Sequence, residues 1–304
     1  MRYVGRNARA LASIWNPYLS DTNPMLRTSL TTLLFAATCS SVYANSGDFS
    51  PKPSPNGELV AFHRNGDDAS WDLFVSAADG THARRLTNSP AYDVGASWSP
   101  DGQRLAYGSD AEGNWEIRVI DLTSGEIQTL TDSPEMDNQP AWSPDGKQIA
   151  FLSRRDGNAE LYLMNSDGSQ PRRLTDSSGH EGHPSWSADG RWIVFDTETD
   201  DDRNLWAIEV ATGKKLQLTD SPGSDMAASV SPDGKFFLFT SNRSGSYNIH
   251  LGVWGHPATL QLTHSQTNAM KAVWQPDGRS AVYSRQDESG VYRVERLSVG
   301  SASR

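Results

Sequence analysis

Apolar runs of four or five residues recur along the chain, each entered through a Pro-Asp-Gly type of turn and left through a polar loop. The third copy shows the unit. A short strand is predicted over residues 139–143, the turn Ser143-Pro144-Asp145-Gly146 follows, and a second strand covers 148–152. After a polar loop a third strand is predicted over 160–164, Ser166-Asp167-Gly168 turns, and 172–175 forms a fourth. The second strands, such as Trp192-Ile193-Val194-Phe195 and Phe236-Phe237-Leu238-Phe239, are apolar on both faces, as expected where neighbouring sheets cover both sides.

The turn residues act as a ruler. The last glycine recurs as Gly57, Gly102, Gly146, Gly190, Gly234 and Gly278, at intervals of 45, 44, 44, 44 and 44 residues. Proline presets φ at the first corner, Asp favours the second and Gly takes the left-handed position, so Gly alone is kept in all six copies. Asn56, Ala188 and Gln275 replace its neighbours in copies one, four and six. Trp98, Trp142, Trp186 and Trp274 precede the turn in four copies, with Pro53 and Val230 in the other two. A tryptophan there reads as a packing wedge between adjacent sheets. Leu-Thr pairs from Leu86-Thr87 to Leu262-Thr263 mark the outer strand, and the basic pairs Arg84-Arg85, Arg172-Arg173 and Lys214-Lys215 read as edge protection. Six units of four antiparallel strands make an all-β, six-bladed β-propeller over residues 45–304. Its closure is the open point, because the chain ends before a sixth Leu-Thr strand would arrive. The segment that could replace it falls near residues 39–43.

Composition changes the picture mainly at the N-terminus. Met25-Leu26-Arg27, the apolar Leu33-Leu34-Phe35-Ala36-Ala37 and Val42-Tyr43-Ala44 have the three parts of a secretory signal peptide over residues 25–44, too short to span a bilayer, so no transmembrane insertion is expected. Residues 1–24 read as an extension upstream of a mis-assigned start. Cys39, the only cysteine, follows Ala36-Ala37-Thr38, a poor lipoprotein signal. Removing the leader leaves 23 basic and 36 acidic side chains, a net charge of about −13. Such a domain carries no footprint for nucleic acid; cations or basic partners suit it better.

The Trp-Ser-Pro-Asp-Gly turns, the Asp-Gly hairpins and the closing Arg-Arg-Leu-Thr resemble the propeller of TolB-type proteins, the periplasmic component of the Tol-Pal envelope system, across residues 50–300. The resemblance implies a periplasmic, protein-binding role, with partners such as the lipoprotein Pal docking on the channel face. Full TolB-type proteins also carry an N-terminal α/β domain, whereas here the leader is expected to run straight into the first blade. Similar blades occur in peptidases and in sugar-acid lyases.

Two rows of repeat positions are candidates for function. Five residues before the Trp site stand Asp93, Asp137, Glu181 and Asp225, with Ala269 breaking the series; three before it stand Gly95, Gln139, His183, Ala227 and Lys271. The acids read in two ways. Each either accepts hydrogen bonds within its own loop, or the four form a ring at the channel mouth that attracts a basic peptide or a cation such as calcium. On the second reading Asp93, Asp137, Glu181 and Asp225 supply the field, Gln139, His183 and Lys271 vary the contacts, and no other cofactor is called for. The runner-up is an enzyme, an oligogalacturonate-type lyase using His180 and His183 of Gly179-His180-Glu181-Gly182-His183. Against it stands the acid ring, which would repel a uronate. No Gly-x-Ser-x-Gly elbow, phosphate loop or dinucleotide fingerprint occurs.

Overall fold

The computed structural model describes residues 39–41, 47–65, 70–199 and 202–299. The expected extension over residues 1–24 and the leader over 25–44 lie outside the described residues, apart from the backbone of Cys39–Ser41.

Six antiparallel sheets are arranged around a central channel. Their innermost strands are Asp48–Pro53, Asp93–Trp98, Asp137–Trp142, His180–Trp186, Asp225–Val230 and Ala269–Trp274. Blade three continues outward through Gln148–Ser153, Glu160–Asn165 and Arg172–Arg173, close to the expected bounds. Blade six supplies three strands from the C-terminal part of the chain, and the short Cys39–Ser41 lies antiparallel against its third, Tyr292–Ser298. That is the place expected for a closing segment. A chain cut after Ala44 would lose it and keep three strands in this blade.

The seam between blades one and six does not depend on that segment. Val60 and Phe62 pack with Val282 and Val294, Phe49 meets Tyr292 edge to face, and the Gly47 N–H donates to the Tyr292 carbonyl at 3.0 Å.

The repeated residues have structural roles throughout. In five turns the Ser hydroxyl accepts the N–H five residues on and donates to the Asp or Asn two residues on; Ser143, for example, bonds Gln148 N–H at 3.0 Å and Asp145 at 2.7 Å. Gly146, at φ 73°, lies under Pro100 of the preceding blade's turn, and Gly57 under Pro276 closes the circle. Gly234 meets nothing, because copy four has Ala188 in place of that proline. Trp98 and Trp186 donate to the carbonyls of Lys52 and Ala141 in the preceding blade and pack into the clusters between blades, as wedges. The Thr of each Leu-Thr pair ties the outer edge: Thr131 accepts the Ile117 N–H at 2.9 Å and donates to Glu116 at 2.6 Å. Arg85 and Arg173 of the basic pairs latch onto the buried Asp72 and Glu160.

Candidate functional site

Each innermost strand carries a β-bulge. In blade three Asn138 pairs with Leu152 and Ala141 with Ala150, so two residues face one. The first bulged residue is in the left-handed region in all six blades: Ser50, Gly95, Gln139, His183, Ala227 and Lys271, with φ between 49° and 70°. Only one of the six is glycine. A non-glycine residue there costs about 1 kcal/mol and persists only where its surroundings dictate it. Here the ring dictates it, because the bulge turns that residue out of the sheet and into the channel. All six line one cavity of about 230 Å³.

Turning outward frees an N–H, and the preceding blade supplies an acceptor. The Ala227 N–H donates to Asp196 at 3.1 Å, that of Lys271 to Thr240 at 2.8 Å and that of Ser50 to Ser284 at 3.0 Å. These acceptors sit six residues after the turn glycine of their blades. In blade three that position is Leu152, and the Gln139 side chain takes over, accepting the His183 N–H at 2.7 Å. In blade two it is Gly108, where Asn138 fills the vacated space and accepts the Gln139 N–H at 2.6 Å. In blade one it is His63, which lines the cavity, is 6% exposed and has no partner at Nδ1.

The expected acids lie elsewhere. Asp93, Asp137, Glu181 and Asp225 are all 4% exposed or less, and none lines the cavity. Arg155 holds Asp137 at 2.7 Å, Arg243 holds Asp225 at 2.5 Å, Thr175 donates to Glu181 at 2.5 Å, and Asp93 lies against Ser109 and Thr87. Asp48 is the first-blade member of the row, held by Arg64 at 2.6 Å. One oxygen of each of the four expected acids is buried without a protein partner. Burial pushes the Asp93 and Asp137 carboxyls up, and burial and then Glu160 push Glu181 up. The acids are therefore fixtures of their own blades and form no open ring. Among the described residues no three His, Cys, Asp or Glu side chains gather as a metal site.

The charge in the channel is positive. Lys52 stands one residue before the Trp site, where the other copies have Ser97, Ala141, Ser185, Ser229 and Val273; Lys271 is in the bulge row. Both line the cavity without an ion pair, and the Lys271 ammonium lies 4.7 Å from the centre of the Phe49 ring. Burial brings both ammonium groups down to about 8; on Lys271, Lys52 adds to that effect and Asp196 opposes it. Burial and the two lysines hold His63 neutral, at about 3. His183 faces Asp196 across 2.9 Å, and Arg203 reaches the other oxygen at 3.3 Å. Burial alone would raise the Asp196 carboxyl; His183, the Ala227 N–H and Arg203 outweigh it and hold it below the usual range.

The structure thus brings Gln139, His183 and Lys271 together and leaves the four acids behind the wall. His180 is exposed at the outer start of its strand, away from the cavity that His183 enters. Lys52, His63 and Asp196 were not among the candidates. The signal for them was a polar residue six after the turn glycine in four of the six copies, and a lysine where other copies keep small residues. A second cleft, of about 290 Å³, lies between blades four and five, and its one Arg, Arg243, is committed to Asp225 and Thr259.

Comparison with known proteins agrees with this architecture. The TolB beta propeller domain matches residues 35–131, 110–178 and 174–303. The chain belongs to the TolB β-propeller family. TolB from Acinetobacter baumannii superposes with a TM-score of 0.66 at 20% identity over 86% of this chain, which spans 65% of that protein's length. A structure from Agrobacterium tumefaciens assigned to TolB gives 0.61 at 23% identity, covering 67% of this chain and 74% of its own. An oligogalacturonate lyase from Vibrio parahaemolyticus gives 0.56 at 13% identity, covering 88% and 93%. At these identities the solved structures speak for the fold this TolB propeller shares with them.

Proposed function

We propose that this TolB propeller is an exported, periplasmic binding module with a Tol-Pal-like role, holding a segment of an envelope protein such as a Pal-like lipoprotein in its channel. One observation carries the reading. Six repeats keep the backbone of the bulge residue constant while its side chain runs from Ser and Gly to Gln, His, Ala and Lys. A scaffold that holds geometry and varies chemistry at one ring of positions is built for recognition. Family membership and the signal-peptide pattern over residues 25–44 support the setting. No helix among the described residues is long and apolar enough to cross a membrane.

The test is photocrosslinking in cells from a reactive residue placed at Gln139 or Ala227, with Lys214 on an outer blade edge as the comparison. Capture of one envelope protein from the channel positions is expected; capture from Lys214 alone would refute the reading.

A lyase remains the second reading, favoured by the His183–Asp196 pair beside two lysines at a cavity that none of the four expected acids lines. Release of unsaturated product from oligogalacturonides, lost in His183→Ala, would move the assignment to it.

A further inference from the structure

We infer that Lys52 and Lys271 form a carboxylate-binding site in the channel, and that the segment this propeller holds presents an acidic side chain or a free C-terminus to it. The inference rests on the binding reading above and gives that segment its chemistry.

Three observations converge. First, the fold does not ask for either lysine. The positions equivalent to Lys52 hold Ser, Ala or Val, those equivalent to Lys271 hold Ser, Gly, Gln, His or Ala, and the same backbone forms in every blade. Second, neither cation makes an ion pair, and the one carboxylate that acts on Lys271 from a distance, Asp196, is already shared. Asp48, Asp137 and Asp225 are bound by Arg64, Arg155 and Arg243, and Asp196 is shared by His183, Arg203 and a backbone N–H. Two ammonium groups drawn out of bulk water with no carboxylate in ion-pair contact are a poor arrangement for stability alone. They suit an arriving anion, since the desolvation is already in place before the ligand binds. Third, neutral donors and orphaned polar groups share the wall: the Gln139 amide uses only its oxygen within the protein, and the buried His63 keeps an unpartnered Nδ1.

The cavity sets the size of the ligand. At about 230 Å³ it has room for roughly seven waters at ~30 Å³ each, so a single carboxylate-bearing group enters and the rest of the partner stays outside. The net charge of −10 on the whole chain repels acidic partners at long range, which leaves attraction to the short-range geometry of the channel.

The probes are short peptides followed by calorimetry: acetyl-Ala-Asp-Ala-amide for a side-chain carboxylate, acetyl-Ala-Ala-Ala with a free C-terminus, and acetyl-Ala-Asn-Ala-amide as the neutral control. At least one acidic peptide is expected to bind about tenfold or more tightly than the control. Lys52→Met and Lys271→Met should each weaken it several-fold, Lys52→Arg should keep most of it, and binding should fade as pH rises through about 8, where both lysines lose their charge. His63, His183, Asp196 and Arg203 are the other ionisable groups around them, and they are present unchanged in each variant. Thermal melting confirms that the Met variants fold. Equal binding of the neutral peptide, indifference to both Met substitutions, or binding of trigalacturonate in place of either acidic peptide would overturn the proposal. Channel crosslinking separates the two readings. Capture of an envelope protein without acidic-peptide binding removes the carboxylate site alone, and lysine-dependent peptide binding without capture removes the envelope role alone.

Discussion

Two rows of residues, two positions apart on the same strands, have opposite fates in this propeller. The row that begins at Asp48 and runs through Asp93, Asp137, Glu181 and Asp225 keeps one chemistry and is buried inside the blades, where an Arg or a hydroxyl answers each carboxylate. The row from Ser50 to Lys271 keeps one backbone angle, changes chemistry at every step and faces a common cavity. Repetition of a side chain in this ring, kept in five blades and replaced by Ala269 in the sixth, marks a part that serves its own blade. Variation at a fixed backbone marks a part that the whole molecule uses once.

The comparison can be broken first at the packing that both rows rest on. Trp98→Ala removes a buried wedge and its bond to the Lys52 carbonyl, and should cost about 3–5 kcal/mol in urea unfolding while disturbing the cavity. Next in size, Asp137→Ala leaves Arg155 without its ion-pair partner, though its Nε still donates to Ser153. Arg155 is a quarter exposed and can recover water, so a loss of about 2–3 kcal/mol is expected, with partner capture from the channel unchanged. Capture lost at full stability would return the acids to the functional row. Thr131→Val strips the outer clasp from the Ile117 N–H and from Glu116 and should cost about 1–2 kcal/mol, again without effect on capture.

The lysines act on stability with an unusual sign. Their folded-state values, about 8 against an ordinary 10.5, mean that between those limits the unfolded chain binds more protons than the folded one. Stability of the wild type therefore rises with pH through that window. The Lys52→Met, Lys271→Met double variant lacks this gain, so it should be the more stable protein at pH 7 and lose that advantage by pH 10.5. A constant difference across the window would show that neither lysine is held at a cost.

Much of this architecture was legible along the chain. The interval of the turn glycines, the tryptophans before them and the doubly apolar second strands correspond to blades, wedges and sheets covered on both sides. The closing segment near residue 39 also followed from counting back along the repeat. The candidate site was half legible. Counting back from each Trp found Gln139, His183 and Lys271, and the same counting set the acids beside them, because residues two apart on a regular strand share a face. The bulge breaks that rule. Its extra residue turns one position into the channel and leaves the other in the blade, and no single strand announces it in sequence. Asp48 and Ser50, five and three residues before Pro53, extend the same two rows into the first copy. Lys52 and Asp196 belong to the site through neighbouring blades, a relation that only ring closure creates.

The central claim is that recognition belongs to the varying row and stability to the constant one. Measuring unfolding free energy and envelope-partner capture together on Asp137→Ala, Asp225→Ala, Gln139→Ala and Lys271→Met tests it most directly. The two acid variants should lose about 2–3 kcal/mol and keep capture; Gln139→Ala should lose no more than about 1 kcal/mol and Lys271→Met none, and both should lose capture. The reverse assignment, with capture lost in the acid variants and kept in the channel variants, would contradict the account.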